Sequence, residues 1–283
     1  MTGHSSWRRR IAETFALRYT GLPQVVAVLL AGSVARGLAD RWSDIELMVF
    51  WASAPDDALR RELAGPGAEV HDYDEDNAEW SEDVLVNGVE LQTSHRTATQ
   101  AESWMDAAVT GHDPDLVKQD MIALIRYGVP LSGADLVASW CARTDVYPAA
   151  LSLAMIREHL GFRTAWHRRK LADRGELVPL HRDLTETAER LWLVLCGLNR
   201  VWFPHLGYKW LPTGLPLAPD RYADRLSELL SAPPHMAAGL ADDLIAETLH
   251  LVDTHFPEAG AAEELRYLHS TRPVWDAPPP DLP

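Results

Sequence analysis

The stretch LLAGSVARGLADRWSDIELMVF, residues 29–50, decides the fold of the first half of this chain. It begins as an apolar run, breaks at Gly32-Ser33, and enters a second apolar run through two acids, Asp44 and Glu46. Because side chains alternate between the faces of a strand, both carboxylates project to one side and the apolar residues to the other. Buried carboxylates need compensation, and a hard divalent cation is the usual one. The pattern therefore predicts a metal site, with magnesium as the candidate ion.

The Gly32-Ser33 turn lies between a predicted strand and a predicted short helix. It offers free backbone N–H groups, a hydroxyl and the positive end of a helix dipole, a combination that suits a phosphate. Gly37 lets the backbone return closely, and Ser43 adds a second hydroxyl beside the acids. The segment therefore predicts a nucleotide whose phosphates bind the turn and whose metal ions bind the carboxylates.

The elements around this segment alternate between helices and strands up to about residue 95. A hairpin is indicated by VLVNGVELQTS, residues 84–94, because Asn-Gly is the preferred dipeptide of type I′ turns. On its second strand Glu90 shares a face with Gln92 and Ser94, so Glu90 becomes a third carboxylate if this strand lies beside the acidic one. The periodicity predicts helices over 6–20 and 56–64 and strands over 24–31, 45–51, 68–74, 83–86 and 89–94.

From residue 98 onward the apolar period becomes helical. Gly and Pro in RYGVPLSG, residues 126–133, place a boundary there. We therefore predict an α+β fold with two domains, a mixed-sheet domain over 1–130 and an all-helical domain over 131–283. The predicted helices span 98–110, 114–126, 134–142, 149–173, 181–203, 220–231 and 237–254.

The charge balance bears on the partner. With 41 acids against 26 Lys plus Arg the formal charge is -15, which disfavours nucleic acid and fits a cationic small molecule, although acidity can also serve solubility alone. Two cysteines without metal spacing and the absence of a signal-length or membrane-spanning apolar run predict a cytoplasmic protein. The basic cluster FRTAWHRRK, residues 162–170, is the feature that would favour a nucleic acid.

The segment GSVARGLADRWSDIEL, residues 32–47, resembles the signature of the nucleotidyltransferase superfamily that shares the polymerase-beta palm. That signature is Gly-Ser, a later Gly, and Ser-Asp-x-Asp or Glu leading into a strand. An amino-terminal palm followed by an all-helical domain is similar in layout to the aminoglycoside nucleotidyltransferases. The stretch LNRVWFPHLGYKWL, residues 198–211, resembles helical-domain segments of uncharacterised relatives of those enzymes. The chain departs from the usual pattern at Glu46, where most members have Asp.

The resemblance implies a reaction and a set of site residues. It implies transfer of a nucleoside monophosphate, AMP from ATP, onto a hydroxyl of a small cationic acceptor such as an aminoglycoside, with two magnesium ions and a role in antibiotic resistance. The implied catalytic and metal-binding residues are Asp44, Glu46 and Glu90. The implied nucleotide-binding residues are Gly32, Ser33, Arg36, Ser43, Arg200 and Lys209.

Two other functions fit the same residues. One is a nucleotidyltransferase whose acceptor is a protein side chain or a tRNA end, as in toxin-like members of the superfamily. The other is a non-catalytic nucleotide-binding module, which the Glu46 departure allows and the three candidate acids disfavour. The acceptor, the nucleotide preference and the oligomeric state are not encoded in any short motif.

Overall fold

A six-stranded mixed sheet forms the core of the first half of the chain. The computed structural model describes residues 2–204 and 215–274. The strands lie in the order β3-β4-β5-β2-β1-β6, with β2 and β5 parallel and every other pair antiparallel. The strands are β1 Val25–Leu30, β2 Ile45–Trp51, β3 Glu69–Val70, β4 Trp80–Val86, β5 Val89–Thr97 and β6 Val129–Ser132.

Helices cover both faces of this sheet and make up the second half of the chain. The helices of the first half are α1 Gly3–Thr20, α2 Gly32–Ala35, α3 Asp57–Ala64, α4 Ala98–Val109, α5 Leu116–Tyr127 and α6 Ala134–Arg143. The helices of the second half are α7 Ala149–His159, α8 Ala165–Asp173, α9 Leu177–Leu198, α10 Tyr222–Leu229, α11 Pro234–His255 and α12 Ala261–Leu268. The described residues thus have the predicted α+β fold.

The two central strands are buried because their sequences are continuous apolar runs. On one face Ile45, Leu47 and Val49 of β2 pack with Phe15 and Tyr19 of α1. The opposite face is covered by later helices of the same unit, where Phe50 and Trp140 meet with ring centroids 4.9 Å apart. Burial of apolar surface on both faces is what fixes these strands in the middle of the sheet.

Several local predictions are confirmed and several are corrected. The hairpin turn has positive φ at both Asn87 and Gly88, as a type I′ turn requires. The strand expected over 68–74 is only two residues long, and β6 and α12 were not predicted. The single helix expected over 149–173 is two helices, because the chain leaves the helix at Leu160 and Thr164 caps a new one by accepting from the His167 N–H.

The chain divides into two compact units. The first comprises residues up to 148 together with 202–204, and the second comprises 149–201 and the described residues from 215 onward. The first unit extends past the boundary expected at residue 130 because β6 pairs with β1 and α6 packs against both strands. A strand that completes the sheet cannot belong to another domain.

The second unit is a helical bundle whose core is centred on α9 and α11. Leu191, Val194 and Leu195 of α9 and Leu244 and Ile245 of α11 are fully buried there. Their spacing at helical periods is the amphipathic pattern that predicts core-facing helices. In the part of the chain that the structure describes, no helix combines the length and apolarity needed to cross a membrane.

Candidate active site

The glycine turn and the acidic strand meet at the end of β1. The carboxylate of Glu46 lies directly over the Cα of Gly32, so a Cβ at that position would collide with it. Gly32 also has φ of +62°, a conformation that other residues rarely adopt. The backbone is joined at the same point, since the Ala31 N–H donates to the Glu46 carbonyl at 2.9 Å. Glu46 therefore lies against the glycine turn.

Glu46 is held in an environment that resists its ionisation. Burial raises its pKa from 4.5 to about 7, and the negative charges of Asp44 and Asp120 add to that effect. Asp120 lies on α5, which packs against α2. A buried acid with two further acids nearby is expected in a site where a bound cation compensates the negative charge.

Glu90 lies on the predicted face of β5, but Glu46 is not its partner on β2. The parallel register pairs Glu46 with Gln92, and the same register extended by two residues brings Glu90 level with Asp44. Glu90 is exposed, and its charge is not among those that raise the pKa of Glu46. Over residues 2–204 and 215–274, no group of three or more His, Cys, Asp or Glu side chains is arranged to hold a metal ion. The three-carboxylate metal group predicted from the sequence is therefore not assembled there.

The turn has the groups expected of a phosphate-binding site, without the expected helix dipole. Ser33 is 6% exposed, and Ala31 at the N-cap of α2 provides no side-chain acceptor for the N–H groups of the first turn. Helix α2 has only four residues, so its dipole is small. Any anion held here would be bound by individual N–H groups and the Ser33 hydroxyl.

Ser43 has a structural role that the sequence analysis did not foresee. Its hydroxyl donates to the Asp40 carboxylate at 3.1 Å and accepts from the Asp40 N–H at 3.0 Å. The Ser43 N–H donates in turn to the Asp40 carbonyl at 3.3 Å. Ser43 thus closes the turn that leads into Asp44, and a phosphate would have to compete with Asp40 for its hydroxyl.

The predicted basic residues fall in different places. Arg36 is the C-cap of α2, and its guanidinium lies 4.5 Å from the ring centroid of Tyr127 on α5. Burial lowers the pKa of Arg36, and Tyr127 opposes that shift. Arg200 is exposed at the end of α9 in the second unit with φ of +55°. Lys209 lies outside the described residues, and the phosphate-binding roles of Arg200 and Lys209 stay predictions.

Residues from outside the motif anchor the loop before Asp44. The Nε of Arg8 donates to the Ser43 carbonyl at 2.8 Å, the Thr2 hydroxyl donates to the Ala39 carbonyl at 2.8 Å, and the Ser5 hydroxyl accepts from the Ala39 N–H at 3.0 Å. No local spacing could have found these residues, because Arg8 lies 35 positions before Ser43 in the chain. Asp120 was missed because it lies within an ordinary amphipathic helix.

Arg168, within the basic cluster over 162–170, does not contribute to a cationic surface. Arg168 is fully buried, and its guanidinium pairs with Asp242 at 2.6 Å and Asp183 at 3.2 Å. Arg163 also pairs with Asp183, at 3.4 Å, and Lys170 lies 5.2 Å from the ring of Trp166. A buried paired arginine contributes to the packing of the second unit and is unavailable to a nucleic acid.

Comparisons with known proteins give a structural likeness at low sequence identity. No protein-family model matches the chain, and no curated protein matches it. Among solved structures it is similar to a nucleotidyltransferase-like protein from Exiguobacterium sibiricum 255-15, with 12% sequence identity, a TM-score of 0.40, and coverage of 93% of this chain and 78% of that one. The likeness is too distant to assign an activity to this chain.

Proposed function

We propose that this protein is a metal-dependent nucleotidyltransferase that moves a nucleoside monophosphate, AMP from ATP, onto a hydroxyl of a small cationic molecule such as an aminoglycoside. The observation that carries the proposal is the Glu46 carboxylate over the backbone of Gly32, with Ser33 following Gly32 in the chain and Asp44 two residues before Glu46. A turn that can bind phosphate beside carboxylates that can bind a cation suits a metal–phosphate complex, which carries both charges.

The donor set of the site fits magnesium. Magnesium binds through one or two carboxylates and completes its coordination with substrate phosphates and water. Asp44 and Glu46 are two such carboxylates on one side of the strand, and Glu46 is destabilised as an anion by burial and by its acidic neighbours. The ion supplies charge neutralisation at the transferred phosphate and the departing pyrophosphate.

The side chains have distinct roles in the proposed reaction. Asp44 and Glu46 hold the ion, and the Ser33 hydroxyl with the N–H groups of its turn holds the phosphates. Glu90, exposed on the same face, takes the proton from the acceptor hydroxyl. A bond forms between that oxygen and the α-phosphorus, and the bond to pyrophosphate breaks. On the sequence resemblance alone, Arg200 and Lys209 stay candidates to bind the departing group.

The alternative acceptors receive less support. A net charge of -15 and the burial of Arg168 both disfavour tRNA. A protein acceptor or a module without turnover would keep the same nucleotide-binding residues and would differ only in the product formed.

Mass spectrometry of the products tests the proposal. Purified protein is incubated with labelled ATP, GTP, CTP or UTP, with magnesium or manganese, and with a panel of aminoglycosides and other hydroxylated amines. We expect an acceptor heavier by one nucleotide, absent in Asp44→Ala and present in Glu69→Gln, an exposed acid on the edge strand β3. Wild-type transfer by Asp44→Ala would refute the proposal; nucleotide binding without any product would favour a macromolecular acceptor or a non-catalytic module.

A further inference from the structure

Helix α1 contributes a buried arginine, Arg8, which contacts the loop that leads into strand β2. Arg8 is 4% exposed, although it lies in the first half of a surface helix. Its Nε donates to the Ser43 carbonyl at 2.8 Å, and its Nη1 lies 3.3 Å from the His4 Nδ1 and 3.4 Å from the His4 carbonyl oxygen. Its guanidinium also stacks on the ring of Trp7, with Cζ 4.1 Å from the centroid. The planar fork is therefore fixed in one orientation.

The charges around Arg8 belong to the site. Burial lowers the pKa of Arg8, and the carboxylates of Asp40 and Asp44 oppose that shift. Asp40 is the residue whose carboxylate accepts from the Ser43 hydroxyl, so the positive charge of Arg8 acts on the acids at both ends of the short segment 40–44. Removing the arginine would leave these two acids without that charge and the Ser43 carbonyl without this donor.

The rest of the loop is fixed by the same helix. The Ser5 hydroxyl accepts from the Ala39 N–H, and the Thr2 N–H donates to the Gly37 carbonyl at 3.3 Å. Within the loop the Trp42 N–H donates to the Asp40 carboxylate at 2.9 Å. Of the α1 residues that contact this loop, Arg8 is the charged one, and it donates to the carbonyl of Ser43, the residue immediately before Asp44.

From these contacts we propose that Arg8 is a positioning residue, which holds the Ser43 carbonyl so that the Asp44 carboxylate, on the next residue, enters the site in one orientation. The inference rests on the proposed function for the reaction that it serves. A carboxylate must be held within a fraction of an ångström of its working position, and a displacement of about 1 Å can cost about a hundredfold in rate. Arg8 touches neither substrate nor ion in this role.

Three variants and one control test the role. Arg8→Met removes the charge and every N–H donor at nearly the same side-chain length, and Arg8→Lys keeps the charge with a different geometry. Ser5→Ala loosens the same loop from its other anchor if the arginine variants fold poorly. Arg9→Met is the matched control, because Arg9 is the next residue of α1, is 39% exposed, and pairs along the helix surface with Glu13 at 2.9 Å.

Hydrogen exchange measures the positioning without any turnover. We expect amides of residues 38–46 to exchange at least about tenfold faster in Arg8→Met, less so in Arg8→Lys, and at the wild-type rate in Arg9→Met. Peptides of β4, β5 and the second unit should keep their wild-type rates. An unchanged loop in Arg8→Met overturns the proposal, and so does equal acceleration throughout the first unit, which would mean that Arg8 only stabilises the fold.

Kinetics measure the consequence for transfer. We expect kcat of Arg8→Met to fall about tenfold to a hundredfold, with KM for ATP near the wild-type value and partial recovery in Arg8→Lys. A wild-type kcat in Arg8→Met overturns the proposal even if exchange accelerates. A wild-type protein that transfers no nucleotide to any acceptor refutes the proposed function, whereas the exchange measurement still decides whether Arg8 holds the loop.

Discussion

Replacing Glu46 by Gln should stabilise the metal-free protein, and by an amount that depends on pH. The pKa of Glu46 is raised from 4.5 to about 7, because it is buried and because Asp44 and Asp120 lie nearby. The unfolded chain therefore ionises Glu46 at lower pH than the folded chain does. Below about pH 4.5 the side chain is neutral in both states and costs nothing; its free-energy cost to folding grows from there to about pH 7 and is constant above.

The size of this effect follows from the two pKa values. Each tenfold difference in acidity is worth about 1.4 kcal/mol, so the difference between 4.5 and about 7 costs the folded state about 3 kcal/mol at pH 8 and less than about 1 kcal/mol at pH 5. Glu46→Gln is neutral at every pH and has nearly the shape of the protonated acid. The stability advantage of the variant over wild type should therefore grow by about 2 to 3 kcal/mol between pH 5 and pH 8.

The assay must report the first unit separately from the second. Urea unfolding in EDTA at pH 5, 6, 7 and 8, followed by hydrogen-exchange labelling of peptides from β1 and β2, gives the free energy of unfolding of the sheet. Glu90→Gln is the control, because Glu90 is an exposed acid on the same face of the neighbouring strand. Manganese or magnesium at pH 8 should raise the stability of wild type and leave Glu46→Gln nearly unchanged.

Two results would refute this reasoning. A constant difference between Glu46→Gln and wild type from pH 5 to pH 8 would mean that the buried acid does not resist ionisation. A metal-induced stabilisation that survives in Glu46→Gln would mean that the ion binds elsewhere, and the proposed function would lose its metal site.

Three further predictions concern the frame of the site. Gly32→Ala should lower the free energy of urea unfolding by about 2 to 4 kcal/mol, because the residue has positive φ and its new Cβ would collide with the Glu46 carboxylate. Gly67→Ala, also at positive φ but in open space, should lower it by only about 1 kcal/mol. Equal losses in the two variants would contradict the contact between Gly32 and Glu46. Glu90→Gln should bind a non-hydrolysable ATP analogue with wild-type affinity by calorimetry and form no product by mass spectrometry, and wild-type turnover would exclude it as the base. Glu82→Gln should lower the free energy of unfolding by about 3 to 5 kcal/mol in the same assay, because Glu82 is 1% exposed and pairs with the buried Arg60 and the buried His95. A loss below about 1 kcal/mol would show that these pairs are not needed for stability.

The sequence alone determined the local helices, strands and turns and which face of each strand carries polar side chains. Continuous apolar runs specify β1 and β2 as central strands, Asn87-Gly88 specifies a hairpin because both residues accept positive φ, and Gly32 is the residue that a tight turn beneath a carboxylate requires. Strand periodicity also put Glu90 and Gln92 on one face. These features follow from short-range sterics and from side-chain alternation, which neighbours along the chain fully define.

The tertiary structure decided which distant residues complete the site. Strand register placed Gln92, and not Glu90, beside Glu46, because a shift along parallel strands is set by the packing of the whole sheet. Helix packing brought Asp120 near Glu46 and Arg8 against the Ser43 carbonyl. Burial of charge decided that Arg168 pairs inside the second unit. Such contacts join residues far apart in the chain, and their energy depends on solvent exclusion, which no local pattern of residues encodes.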